Sequence, residues 1–461
     1  MEKIIKNNKI KNIIIFLIPF IIFLIVLLAF YPGILSFDSI NQWNQVQSGI
    51  INDAHPFLTT YIMFLLSKIW NSTAMICLFQ IAVFSFVWSY FCNYIRKISK
   101  YSFNKQIIFT VVMCLFPIMF LYSITLWKDI LYSYYLMFLS ILLLIGVKKK
   151  FQYSITEILL VGFLISIATL YRHNAIIPTF LIFCFLIYYF IKEKVNFKKI
   201  ILLICSILSF YTILDMPEKI LKKEEIKKEP EISFLTTYSI YALSTFYNYN
   251  VKFTKEEYEL LHNVIPKNLW TEKYDRYLIN TLLFVPELNK EYANKHASEI
   301  TKLVLKYGLK YPHIGVLHYL QADSMLYNPL PLGSLYVFDF SEWRPYYGFD
   351  EKTDTKLPIV RKCLTGLLNI TYNKPYILRV LLYRPIYPLA LSVILMFIMI
   401  KRKWVEKRMW FMMSPMLFNT LSLLPINIAQ DLRYVYINFL TLPLVLMLFL
   451  SIYKRKKITT D

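Results

Sequence analysis

Four short groups of ionisable residues stand beside long apolar runs: Asp38 with Asp53 and His55, Lys128-Asp129, Arg172-His173-Asn174, and Asp431 with Arg433. An ionisable side chain at the edge of or inside a membrane is costly, and such residues mark sites of function. Lys128, Arg172 and Arg433 supply cations suited to an anionic group, above all a phosphate. Asp38 supplies a carboxylate able to take the proton of a hydroxyl. It also fits a helix N-cap, as does Ser36, and capping and catalysis are compatible roles. His55, Asp129, His173, Asn174 and Tyr434 are expected to contact the same substrate. If a divalent metal takes part, Asp38 and Asp129 are its candidate ligands. Arg379, Arg384 and Asp53 read as interfacial. His262, His296, His313 and His318 are scattered and receive no ligand role. No C-x-x-C pair occurs among the 6 cysteines, so neither a zinc site nor a disulfide framework is indicated. No G-x-x-x-x-G-K-[ST] loop is present to bind a nucleotide.

These residues must be positioned by membrane helices. The chain has 461 residues, 57% hydrophobic and 17% charged, against about 45–50% and 25% in a soluble domain. That balance excludes a soluble globular enzyme, a disordered chain and a disulfide scaffold. A spanning helix needs about 20 mostly apolar residues. Runs that meet or approach this are 12–31, 73–94, 106–126, 130–147, 155–171, 175–191, 200–214, 376–400, 409–424 and 434–453. The expected fold class is therefore an all-α polytopic membrane protein of about ten spans. The first run has no small-residue cleavage site and reads as a span rather than a signal peptide.

The net charge of +22 would suit a nucleic-acid partner until the charges are located. Loops that fall on one side of ten alternating spans carry 24 basic residues against Glu2, Glu193, Glu406 and Asp461. The positive-inside rule makes that side cytoplasmic, with both termini inside. Segment 216–375, on the other side, holds 21 basic and 19 acidic residues. The excess charge thus orients the chain in the lipid bilayer, and no nucleic acid is expected.

Three regions follow: a membrane module over 1–215, a mostly helical extracytoplasmic domain over 216–375, and a membrane module over 376–461. Within the outer domain, Thr254-Lys255-Glu256-Glu257 is a capping-box signature, and 222–231 reads as a solvated linker or surface helix. Helical periodicity over 287–311 is expected to continue past Pro312 to 327. In the first outer loop, 32–72, two juxtamembrane helices are expected, at 39–47 and 57–70.

The order of these pieces resembles the GT-C glycosyltransferase superfamily, which includes the protein O-mannosyltransferases and the aminoarabinose transferases of lipid A. Tyr31-Pro32-Gly33, Ser36-Phe37-Asp38-Ser39 and His55-Pro56-Phe57-Leu58 resemble its first-loop pattern of an acidic residue followed by an H-P or P-P element. Thr125-Leu126-Trp127-Lys128-Asp129 resembles its second acidic loop. Tyr171-Arg172-His173-Asn174 and Asp431-Leu432-Arg433-Tyr434-Val435-Tyr436 are similar to motifs of an uncharacterised bacterial branch, as is Tyr311-Pro312 before an aromatic stretch. One position departs: the mannosyltransferases carry Asp-Glu where this chain has Asp38-Ser39, which suits a base better than a tight metal site. The resemblance implies a polyprenyl-phosphate-linked sugar donor and an extracytoplasmic glycan or glycolipid acceptor. It implies donor-phosphate contact by Lys128, Arg172 and Arg433, with Asp38 as base. Other readings remain at this stage: a transporter or flippase of a lipid-linked saccharide, and a polysaccharide polymerase or ligase. Against the first, the charges sit at one interface and no repeat is visible.

Overall fold

The computed structural model describes residues 2–52, 55–99, 101–221, 232–330, 335–337, 354–373 and 376–458. Asp53 and the run 222–231 lie outside them. The described residues are 78% helical, and they contain isolated β-bridges but no strand. It divides into two compact units. One comprises 1–223, 337–419 and 433–461, the other 224–336 and 420–432.

The first unit holds ten helices in its N-terminal part: α1 (Glu2–Ala29), α2 (Phe37–Ser48), α3 (Phe57–Ser67), α4 (Thr73–Ile98), α5 (Phe103–Cys114), α6 (Pro117–Ser123), α7 (Lys128–Lys148), α8 (Ile155–Tyr171), α9 (Ile176–Lys192) and α10 (Phe197–Leu221). Apolar helices Ile386–Lys401 and Tyr436–Ile458 follow near the C-terminus. Among the described residues, six helices are long and apolar enough to cross a membrane, and eight if the bent pairs α5–α6 and Tyr376–Tyr383 with Ile386–Lys401 each count as one span. The ten-span expectation is therefore met in kind but not in number. The run 155–171 forms a helix of 17 residues. The run 409–424 is divided between a 3-10 segment, Lys407–Met413, and a helix, Ser414–Leu423.

Helix α7 is the axis of this unit. The apolar window along it is 100% buried, so its all-round apolar sequence packs on every side. Helices α8 and α10 pack closely because Gly162 carries no side chain there: a Cβ would fall 2.1 Å from Ser206 Oγ. Ser166 Oγ then donates across the pair to the Ile207 carbonyl at 2.9 Å.

In the second unit, helices Phe234–Asn248, Lys255–Val264, Ala297–Lys310 and Pro312–Ala322 enclose a core that includes Tyr241, Phe246, Leu261, Trp270, Ile300 and Tyr307. The capping box stands as expected: Thr254 N–H donates to Glu257 Oε2 at 2.8 Å, and Glu257 N–H to Thr254 Oγ1 at 3.3 Å. The long helix expected over 287–327 is interrupted. It becomes Lys290–Lys295, Ala297–Lys310 and Pro312–Ala322, followed by a turn at Ser324–Tyr327. Pro312 has no N–H to continue a helix and disfavours helical backbone at Tyr311, whose φ and ψ are −129° and 65°.

Candidate active site

The site is built entirely in the first unit. Its geometry begins at a two-rung parallel bridge between Ile34 and Thr125, with Ile34 N–H to Ile124 O at 2.9 Å and Leu126 N–H to Ile34 O at 3.0 Å. Gly33 makes the approach possible. Its φ is +122°, and an added Cβ would meet Cys77 Sγ at 2.6 Å and Leu126 Cδ1 at 3.0 Å. The bridge sets the start of α2 beside the start of α7, where Trp127 Nε1 donates to Ser36 Oγ at 2.6 Å.

Ser36, not Asp38, is the N-cap of α2. Ser39 completes the cap: its Oγ accepts from Ser36 N–H at 2.7 Å and donates to Ser36 O at 3.0 Å. The Asp38 carboxylate is thereby left for other partners. Arg433 Nη1 donates to Asp38 Oδ2 at 2.7 Å. The residue that departs from the Asp-Glu pattern, Ser39, thus finishes the helix cap.

Asp129 lies in the first turn of α7, where the helix dipole favours a negative charge. It is 1% exposed and stands between two arginines. Arg172 Nη1 is 3.3 Å from its Oδ1, and Arg433 Nε is 3.7 Å from its Oδ2. Arg172 itself is 7% exposed and has extended backbone between α8 and a 3-10 turn, His173–Ala175. Three rings hold the guanidinium groups, two against each. Arg172 lies 4.7 Å from the Tyr434 ring and 5.7 Å from Tyr132. Arg433 lies 5.1 Å from Trp127 and 5.4 Å from Tyr434. Burial of this kind strengthens cation–π attraction. The Tyr434 carbonyl accepts from Arg172 Nη1 at 3.4 Å and from Asn419 Nδ2 at 3.0 Å, and Tyr132 OH donates to Asn419 Oδ1 at 3.0 Å.

Lys128 Nζ is 3.3 Å from His55 Nδ1. It also lines a small cavity of about 20 Å³ with Gln42, Thr59 and Tyr171. Burial pushes the His55 imidazole down to about 4, with Lys128 acting in the same direction and Asp38 against it. His55 is therefore neutral at neutral pH and can accept a hydrogen bond from the Lys128 ammonium. For Asp38, burial works against the carboxylate, but Arg433, Lys128 and His55 outweigh it and hold the carboxyl well below the usual range. A carboxylate held so acidic is a weak proton acceptor while the Arg433 pair is intact.

The structure thus brings together Asp38, His55, Lys128, Asp129, Arg172, Arg433 and Tyr434. His173 is exposed but close enough to His55 to oppose its protonation. Asn174 is half-buried in the 3-10 turn, and among the described residues its side chain makes no hydrogen bond to the cluster. Sequence reasoning assigned no role to Trp127, Tyr132 or Asn419, and offered Ser36 only as one of two N-caps. The signal for Tyr132 was its place one turn after Lys128 and Asp129. For Asn419 it was a lone amide in an apolar run. The donor set suits an anion rather than a metal ion. Each candidate carboxylate is engaged by an arginine, three cations crowd the two acids, and no group of three His, Cys, Asp or Glu that could hold a metal occurs among the described residues.

No protein-family model, no curated protein and no solved structure matches the chain.

Proposed function

We propose that the chain is a GT-C-type integral membrane glycosyltransferase. It moves a sugar from a polyprenyl-phosphate carrier to an extracytoplasmic glycan or glycolipid, such as a cell-wall or surface polysaccharide. In this reading it crosses the cell membrane ten times, with both termini in the cytoplasm and the site at the extracytoplasmic face. The two bent pairs are single spans, and α8 and the 407–423 segment complete the ten. A helix of 17 residues is about 26 Å long, close to the hydrocarbon thickness of about 30 Å.

The observation that carries the reading is the convergence of Asp38, Lys128, Asp129, Arg172 and Arg433, from four distant stretches of chain, into one cluster in which the two arginines pair with the two acids and Lys128 stands near both. An apolar groove supports it. Ile165, Thr169, Ile176, Phe180, Ile204 and Leu208 are among the residues lining a groove of about 340 Å³ on α8, α9 and α10. Thr169 and Ile176 bracket Arg172 in the chain, so an isoprenoid tail in this groove starts near the cations.

In the reaction, the acceptor hydroxyl oxygen attacks the anomeric carbon as the bond to the phosphate oxygen breaks. The phosphate keeps the bonding pair, and Lys128, Arg172 and Arg433 stabilise the developing charge. Asp38 takes the hydroxyl proton. Direct displacement inverts the anomeric configuration.

The test is transfer of a labelled sugar from its polyprenyl-phosphate carrier by the purified protein and by Asp38→Asn. Turnover is expected to fall by about 100-fold or more in a folded variant. Unimpaired turnover would remove Asp38 as the base.

A further inference from the structure

Two carboxylates share the cations of the cluster, and they are held differently. Asp129 is 1% exposed and is flanked by both arginines at distances longer than a good hydrogen bond. Its backbone is fixed in the first turn of α7, where Ser133 Oγ donates to its carbonyl at 2.7 Å. It is built as a permanent counter-ion. The Asp38 side chain is 27% exposed and, among the described residues, has one ion-pair partner, Arg433, at 2.7 Å. Nothing in its own helix requires it, because Ser36 and Ser39 close the cap. Its contact with Arg433 is the geometry of a bound anion, an oxygen at charge-assisted hydrogen-bond distance.

We propose that Asp38 is a removable internal anion. Its carboxylate occupies the place on Arg433 that a phosphate group of the lipid-linked donor takes, and the donor's arrival releases it to the acceptor hydroxyl. This rests on the glycosyltransferase reading above. Phosphate wins the exchange because it offers more oxygens to the cations. Lys128 and Arg172, which Asp38 does not bridge, add to its hold. The consequence is an order of events: donor first, then a free base, then acceptor. By linkage, an anion that competes with Asp38 for Arg433 must bind more tightly when Asp38 loses its charge.

The experiment is equilibrium binding to the full-length protein in lipid nanodiscs. The probe is polyprenyl phosphate, the carrier left after transfer, with inorganic phosphate and the uncharged polyprenol alongside. Asp38→Asn and Asp38→Ala are each expected to bind polyprenyl phosphate about tenfold or more tightly than wild type. Polyprenol binding stays unchanged, and the gain disappears in the double variant Asp38→Asn with Arg433→Gln. Two Asp38 variants guard against a fold defect in either, since a damaged fold weakens binding rather than tightening it. If both bind polyprenyl phosphate no more tightly, while replacing Lys128, Arg172 or Arg433 still weakens it, the exchange is overturned and the donor site stands. If replacing the three cations leaves polyprenyl phosphate binding intact, the exchange and the donor site fall together. Tightening confined to inorganic phosphate also overturns the proposal.

Discussion

Asp129 has the least freedom of any residue in the cluster and carries the largest stability prediction. Removing one partner of a buried ion pair leaves its partners charged and desolvated, at a cost of about 3–5 kcal/mol. Asp129→Ala strands Arg172, while Arg433 keeps Asp38, so denaturant unfolding is expected to show a loss in that range. A loss below about 1 kcal/mol would contradict the packing described. His55 carries a pH prediction. Its imidazole is pushed down to about 4 from 6.5, so between these pH values the unfolded chain binds a proton that the native chain refuses. Stability is therefore full above about 6.5 and declines as the pH falls toward 4, by about 3 kcal/mol at most. Asp38, held below its ordinary 3.8, adds its own loss only at lower pH. His55→Gln should flatten the 6.5-to-4 window, and an unchanged slope there would count against this environment for His55. The types of these residues were legible in the sequence, because charge beside apolar runs is conspicuous. Their pairing was not. Asp38 and Arg433 are 395 positions apart, and whether Ser36 or Asp38 capped α2 was open until the Ser36–Ser39 contacts chose.

At the scale of elements, the site depends on the bridge between Ile34 and Thr125, which brings α2 to α7. Gly33→Ala places a methyl against Cys77 and Leu126 on a backbone with φ +122°. It should cost on the order of 2–3 kcal/mol and lower sugar transfer by separating Asp38 from Lys128. A variant of wild-type stability and turnover would show that the bridge is not needed to assemble the site. Hydropathy located the apolar helices well, since a long apolar run has few other solutions. It placed their breaks poorly. The interruption between α5 and α6, bent by 74°, precedes Pro117, yet the run 106–126 reads as continuous by composition. The first unit resumes at Arg433 after 420–432 belongs to the second, a change that no shift in composition announces.

For the whole molecule, contacts between loops agree with their assignment to one common side, whichever side that is. Arg408 Nη1 reaches Glu193 Oε1 at 2.5 Å, joining the loops after α9 and after Ile386–Lys401. Arg96, at the end of α4, donates to Asn12 in α1 and Gln106 in α5. A cysteine introduced at Gln47 in a cysteine-free background should react with a membrane-impermeant maleimide on intact cells. One introduced at Lys149 should react only after permeabilisation. Labelling in the opposite sense would invert the topology and move the site to the cytoplasmic face. The central claim is that Lys128, Arg172 and Arg433 receive a lipid-linked phosphate, and its most direct test is an experimental structure with polyprenyl phosphate bound. The account predicts phosphate oxygens within about 4 Å of these three side chains, with Asp38 withdrawn from Arg433. A phosphate bound elsewhere, with the Asp38–Arg433 pair intact, would contradict it.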